Sequence, residues 1–225
     1  SATRDAVRAN WSQSFAQMRP FVGPVLPPED AARVEHLALR YLAGRKSLFD
    51  TRIAERRVRD GHGDLLADDI FMLEDGPRIL DCIEFDDRLR YGDVLNDVAF
   101  LAMDLEYQGG PALAGALLAY WGELTAETHP ASLAHHYIAY RAHVRSKVAC
   151  LRAEQGDAEA AGDAGAHLER AAAAGEVVVN YLTAEQEPPV GKSGPGTIAI
   201  ASASVITTSS IETSTKRVVS YGMVY

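Results

Sequence analysis

At 225 residues the chain is long enough for one domain with a sizeable core, and its 47% apolar and 24% charged content is ordinary for a globular protein. A net charge of −9 argues against a general nucleic-acid or anionic-membrane binder and suits a cationic partner or substrate. No apolar run reaches the ~18 residues that a membrane span needs, and the polar opening SATRDAVRANW does not read as a signal peptide, so the expected compartment is the cytoplasm.

Taken in chain order, residues 3–19 read as an amphipathic helix, with Val7, Trp11, Phe15 and Met18 at helical spacing. The prolines and glycine of RPFVGPVLPP stop it, and a second helix starts at the proline- and acid-led PPEDAARVEHLALRYLAGR, whose Val34, Leu37, Leu39 and Leu42 form an apolar side. Ser47 to Val58, rich in arginine, reads as further helix or irregular structure. At His62 the pattern changes: IFML (70–73), EDGPR and ILDCIEF (79–85) read as two short strands around a turn. Helix returns at Asp93 with DVLNDVAFLAMDLEYQ, closed by Gly109 and Gly110, then PALAGALLAYWGEL with Pro111 in its first turn, the long PASLAHHYIAYRAHVRSKVACLRAEQ, and the alanine-rich AEAAGDAGAHLERAAAAGEVVVNYL. A compositional boundary falls near Glu187. Residues 1–187 therefore read as one helical domain and 188–225, rich in Ser, Thr, Val and Ile, as a β-prone or flexible tail.

Several features have plain structural readings. Cys82 and Cys150 sit inside apolar patterns without metal-ligand spacing and read as buried free thiols. His136, Tyr140 and His143 share a helix face and read as packing rather than as a metal site, because no third ligand is near in sequence. Trp11 and Trp121 read as core. Arg141, Arg145 and Lys147 could pair with the acidic loop or line a phosphate path.

The chemistry concentrates in RDGHGDLLADDIFMLEDGPRILDCIEFDD, residues 59–87. Phosphoryl transfer needs one carboxylate to orient and deprotonate a hydroxyl and others to hold Mg²⁺ against nucleotide phosphates. In protein kinases the catalytic-loop Asp lies five residues before a metal-binding Asn, and a second metal-binding Asp follows a hairpin. Here Asp64 precedes Asp69 by five residues, and Asp81 follows Asp64 by 17, on the second expected strand. Acids in DGHGD also suit a turn. Asp81 argues against that reading alone, because a carboxylate interrupting an apolar strand is costly unless compensated, as a metal would do.

HGDLLADDI followed by ILDCIEFDD resembles the catalytic loop and metal-binding segment of the aminoglycoside phosphotransferase-like (choline-kinase-like) family. CIEFDDRLRYGDVLNDVAFLAMDLE and YIAYRAHVRSKVACLR are similar to the subgroup in which this domain is fused to a C-terminal P-loop ATPase domain. The likeness covers roughly residues 1–183 and is specific over 59–152. It implies a mainly α fold (α+β), the C-lobe of a kinase, as a helical bundle with a small β-hairpin and with its catalytic loop within 61–87. It implies Asp64 as catalytic base, His62 as a brace of the loop, Asp81 as the main Mg²⁺ ligand, Asp69 as the second, and Asp97 as a support from the following helix. Glu84, Asp86 and Asp87 would lie toward the substrate. The implied cofactors are ATP and Mg²⁺, and the implied reaction is transfer of the γ-phosphate to a hydroxyl of a small molecule, for which the acidic charge suits a cationic one.

The chain also departs from that family. Asp69 stands where Asn is usual, and Leu66 stands where many members are polar. Only 61 residues precede His62, with no glycine-rich loop and Lys46 as the sole lysine, so an N-lobe is not visible. Gly191-Lys192-Ser193 resembles the end of a P-loop, but Gln186 replaces its first glycine and Pro188 and Pro189 occupy its loop. The expectation is therefore an incomplete phosphotransferase. The alternatives are a non-catalytic kinase-like remnant that acts by binding, or half of a split kinase whose N-lobe comes from a partner chain or a second copy. An exposed apolar face on the first two helices would favour the split form.

Overall fold

A computed structural model describes residues 2–183 and 189–190, with side chains described through residue 179. The compact unit runs to Lys192. Apart from Pro189 and Val190, the expected tail of 188–225, including Gly191-Lys192-Ser193, lies outside the described residues.

The architecture is a helical bundle with three small antiparallel two-stranded sheets. Helix α1 (Arg4–Met18) is capped by Thr3, whose side chain accepts from the Ala6 amide, and it buries Trp11, Phe15 and Met18. Helix α2 (Pro28–Leu42) begins with Pro28, Glu29 and Asp30, a proline and two acids that suit the positive end of a helix, and buries Val34, Leu37, Tyr41 and Leu42. Helix α3 (Lys46–Ala54) resolves the arginine-rich stretch and buries Phe49 and Arg52. Strand β1 (Val58–Asp60) follows, and the hairpin of β2 (Ile70–Leu73) and β3 (Gly76–Ile79) projects beyond it. A short helix α4 (Asp87–Arg90) leads into β4 (Tyr91–Asp93), which pairs with β1. Helices α5 (Val94–Tyr107), α6 (Pro111–Thr125), α7 (Ala131–Glu154) and α8 (Ala160–Thr183) complete the bundle, and β5 (His129–Pro130) pairs with β6 (Pro189–Val190).

Helix α7 is the axis of the core. It packs on α8, α5, α1 and α2, and it buries polar side chains (His136, Arg141, His143, Lys147) along with its alanines, Leu133 and Ile138. Small residues let α8 approach: Ala164, Ala171, Ala172 and Ala174 are buried. A side chain at Gly175 would crowd Leu37 of α2. Trp11 lies in this core, and Trp121 packs half-buried against it. The histidines of α7 are packed groups. His136 accepts from Trp11 Nε1 at 3.3 Å and stacks on Tyr41, while His143 lies against Phe15 and Trp11.

Two expectations fail here. The second strand ends at Ile79, so Asp81 does not interrupt a strand, and Cys82 is exposed rather than buried. The reason is the pairing register. Ile70 opposite Ile79 closes the ladder, and the chain then crosses the surface with only Ile83 turned inward. Cys150 is buried, as its pattern predicts. Among the described residues, no helix is long and apolar enough to cross a membrane.

A buried ionic network holds the second half of the bundle to the first. Arg52, 2% exposed, makes a fork of bonds to Asp93 (Nη2 to Oδ1 2.6 Å, Nε to Oδ2 2.8 Å) and pairs with Glu127. Arg57 Nη1 reaches the same Glu127 at 2.5 Å, and Tyr137 donates to Asp93. Removing one partner strands an opposite charge in the core, which costs about 3–5 kcal/mol. Arg52→Ala is expected to lower unfolding free energy by about that amount. Arg33→Ala, which breaks the exposed Arg33–Glu176 pair, should cost about 1 kcal/mol or less. Equal midpoint shifts for the two variants in urea would remove the network from this role.

Burial also sets a pH dependence. Desolvation lowers His136 and His143 to about 3, and His129 and His167 to about 4, from 6.5. These groups stay neutral when folded and take up protons when unfolded. Their contribution is therefore complete above pH ~6.5 and declines as pH falls toward the folded values. Denaturation midpoints measured from pH 7.5 to 5 should fall steadily, before ordinary carboxylates titrate. A flat profile over that range would contradict the assignment.

Candidate functional site

The loop from Gly61 to Asp69 is built on the face of α5. Asp93, the N-cap of α5, accepts from the Leu95 amide. One turn on, Asp97 points back at the loop and accepts from the amides of His62 (2.7 Å) and Gly63 (3.0 Å). Two turns further, Asp104 accepts from the Ala67 amide at 2.9 Å, opening the 3₁₀ turn Ala67–Asp69. Positions 93, 97 and 104 share one helix face because the helix repeats every 3.6 residues.

Arg141 of α7 locks the same loop from inside. Its guanidinium donates to the Gly63 carbonyl and to Asn96 Oδ1, both at 2.9 Å, lies 3.6 Å from Asp97, and covers the Phe100 ring. Of the three basic residues noted in α7, Arg141 is thus the one joined to the loop, while Lys147 donates to Gln17. Two glycines are required by space. A side chain at Gly61 would overlap the Asp97 carboxylate. Gly63 has φ +85° with Ile83 Cδ1 2.9 Å from where a Cβ would sit.

His62 joins the loop to the segment after the hairpin. Its Nε2 is 2.8 Å from the Leu80 carbonyl, and its own carbonyl accepts from the Ile83 amide at 3.0 Å. The Leu80 amide donates to the Asp69 carbonyl at 3.0 Å, so Asp69 and Asp81 belong to adjoining, bonded backbone. Asp81 itself has φ +64°, a conformation unusual for a non-glycine residue, and is exposed. Leu66 packs against the core.

Asp64 and Asp69 are half-buried. Desolvation raises the Asp69 carboxyl above its ordinary value. The Leu66 amide opposes that rise, and the negative charges of Asp64 and Asp81 add to it. The three carboxylates therefore share one electrostatic neighbourhood. Among the described residues no three His, Cys, Asp or Glu side chains are drawn together tightly enough to hold a metal ion by themselves. The donor set still fits Mg²⁺, which is held by one or two carboxylates with waters and substrate phosphates rather than by a closed protein cage.

Of the acids expected toward the substrate, Asp86 and Asp87 have structural partners. Asp86 caps α4 and pairs with Arg88, which lowers its carboxyl, and Asp87 lies 3.3 Å from Arg90. Arg90 also forks onto Asp60 and donates to the Ile83 carbonyl, tying β1 to the segment carrying Asp81. Glu84 is exposed. Sequence reasoning missed Asn96 and Asp104. For Asp104, seven residues from Asp97 and therefore on the same helix face, spacing was the available signal; Asn96 had none.

If Asp97 holds the loop, Asp97→Ala should cost roughly 1–3 kcal/mol, the penalty for leaving amides without their acceptor. It should also speed amide hydrogen exchange at His62 and Gly63 more than in α8. Gly61→Ala should act similarly by displacing that carboxylate. Unchanged exchange in both variants would contradict the brace.

The chain is 47% identical over 163 residues to an uncharacterized protein of Mycobacterium tuberculosis (strain ATCC 25618 / H37Rv) and, to the same degree, to one of Mycobacterium bovis (strain ATCC BAA-935 / AF2122/97). The match takes in 72% of this chain and 33% of each relative, so the chain spans about a third of the length of the curated relatives it matches. No protein-family profile and no solved structure matches it.

Proposed function

We propose that this unit is the carboxylate-bearing half of an ATP-dependent phosphotransferase that moves the γ-phosphate to a hydroxyl of a small molecule. The observation that carries the reading is the loop itself: the negative charges of Asp64 and Asp81 bear on Asp69 while two carboxylates of α5 and Arg141 fix the backbone beneath them. Gathering three acids raises the energy of the empty site, and a divalent cation offsets that repulsion. The left-handed backbone at Asp81 adds local strain of the kind that concentrates at functional positions.

In this reading Asp64 orients and deprotonates the acceptor hydroxyl. Asp81 and Asp69 hold Mg²⁺, which when bound neutralises nucleotide phosphate charge. His62 keeps the two backbone segments in register. The net charge of −9 makes a cationic acceptor the better electrostatic match.

A second feature favours completion of the site by further polypeptide. The hairpin beside the acidic loop exposes Phe71 (49%), Met72 (75%), Leu73, Ile79 and Leu80. Large apolar side chains clustered beside a polar site are a surface another protein segment would cover. Helices α1 and α2 carry no such exposed side chains among the described residues, so the covering part would meet the hairpin.

Calorimetric titration with ATP tests the proposal. Binding should require Mg²⁺, weaken by roughly tenfold or more in Asp81→Ala, and persist in Asp64→Asn, which loses transfer to any acceptor found. Absence of Mg²⁺-dependent binding would turn the reading toward a binding module without chemistry of its own.

A further inference from the structure

Helix α6 is an apolar helix whose main contact among the described residues is with α5. Ala114, Leu118, Trp121 and Gly122 face the bundle. On an adjoining side Leu113, Tyr120 and Leu124 are 58%, 63% and 82% exposed, and Leu117 between them is half-buried with part of its side chain against the core. Their spacing of four, three and four residues forms a single seam, the pattern by which one helix packs along another. Exposed Ala112, Ala116 and Ala119 flank the seam and leave room for a close approach. Isolated exposed leucines need no explanation, but a whole seam does.

We infer that this seam is a self-association surface, and that its occupant is α6 of a second copy of the chain, packed antiparallel about a two-fold axis. Two observations select that occupant. The seam is self-complementary. A two-fold axis midway between Leu117 and Tyr120 sets Leu113 against Leu124 of the second copy at both ends and Leu117 against its Tyr120 in the middle, the reciprocal pairing that an isologous contact demands. The charge distribution agrees. In a chain of net charge −9, residues 107–122 carry no charge at all, so this is where two like-charged copies meet with least repulsion. The only charge on the helix, Glu123, lies off the seam. In this register the two copies of Glu123 stand about 13 Å apart along the axis, beyond a screening length of about 8 Å at physiological salt. Antiparallel packing also sets opposite helix dipoles side by side.

Analytical ultracentrifugation of the full chain tests this. A monomer–dimer equilibrium is expected, tightening as salt screens the net charge. Leu124→Glu, at an exposed site where the fold tolerates change, should raise the dissociation constant by roughly a hundredfold with an unchanged circular dichroism spectrum. The double variant Leu113→Lys/Leu124→Glu should recover association, because each lysine then faces a glutamate of the other copy. A chain that is monomeric at all concentrations, or a dimer indifferent to Leu124→Glu, would overturn the surface. Loss in the single variant without recovery in the double would overturn the antiparallel register.

Discussion

The first turn of α5 is the point on which the rest of the structure depends. Asp93 caps it, and Arg52 grips Asp93 from α3 with two bonds while also pairing with Glu127 ahead of α7. One guanidinium thereby fixes three elements that are distant in sequence. A buried charge network contributes less to net stability than its distances suggest, since desolvation offsets much of the attraction. Its effect is on position: the two bonds of the fork hold the first turn of α5 against α3.

That placement decides where the loop lies. Asp97 and Asp104 come to face residues 61–67 because they share a face with Asp93. The loop amides find acceptors there instead of pairing with a neighbouring strand, and Gly61 and Gly63 let the chain come close enough to reach them. Arg141 then closes the carbonyl side. The acids of the loop are left half-buried to exposed on a backbone held by these hydrogen bonds. This is the arrangement a site needs when its carboxylates must hold position against mutual repulsion.

Much of this was legible in the sequence, and for identifiable reasons. Helices announced by three- and four-residue apolar spacing, such as α1 and α5, lie where the pattern places them, because the same spacing that makes a stripe also buries it. The hairpin was legible as two short strands around EDGP, but its second strand was set too late. Apolar residues at 80–85 look like strand continuation, whereas the ladder ends once Ile79 meets Ile70. Register is a pairwise property, and one strand read by itself does not contain it. The same limit hid Asn96, Asp104 and the Arg52–Asp93–Glu127 network, whose members lie 41 and 75 residues apart. Asp64, Asp69 and Asp81 were legible as a set because local spacing carries the loop geometry. Of their supports, Asp97 and Arg141 were named from the sequence and do meet the loop, whereas Asn96 and Asp104 were not.

The surface divides into two kinds of unfinished business. Around the loop, Asp64 and Asp81 add negative charge beside Asp69 and apolar side chains of the hairpin stand nearby, so on the proposed reading polar and apolar terms both favour a ligand and a covering segment at one place. Along the exposed row of α6 there is no charge to satisfy, only a seam whose side chains repeat about their own midpoint. The first surface asks for something chemically different from itself, while the second is matched by a copy of itself. Helix α5 lies between the two, since its N-terminal turn carries the loop and its other side carries α6. A contact that loads α6 therefore bears on the helix that positions Asp97, and any rotation it imposed would be resisted at Asp93 by the buried Arg52 fork.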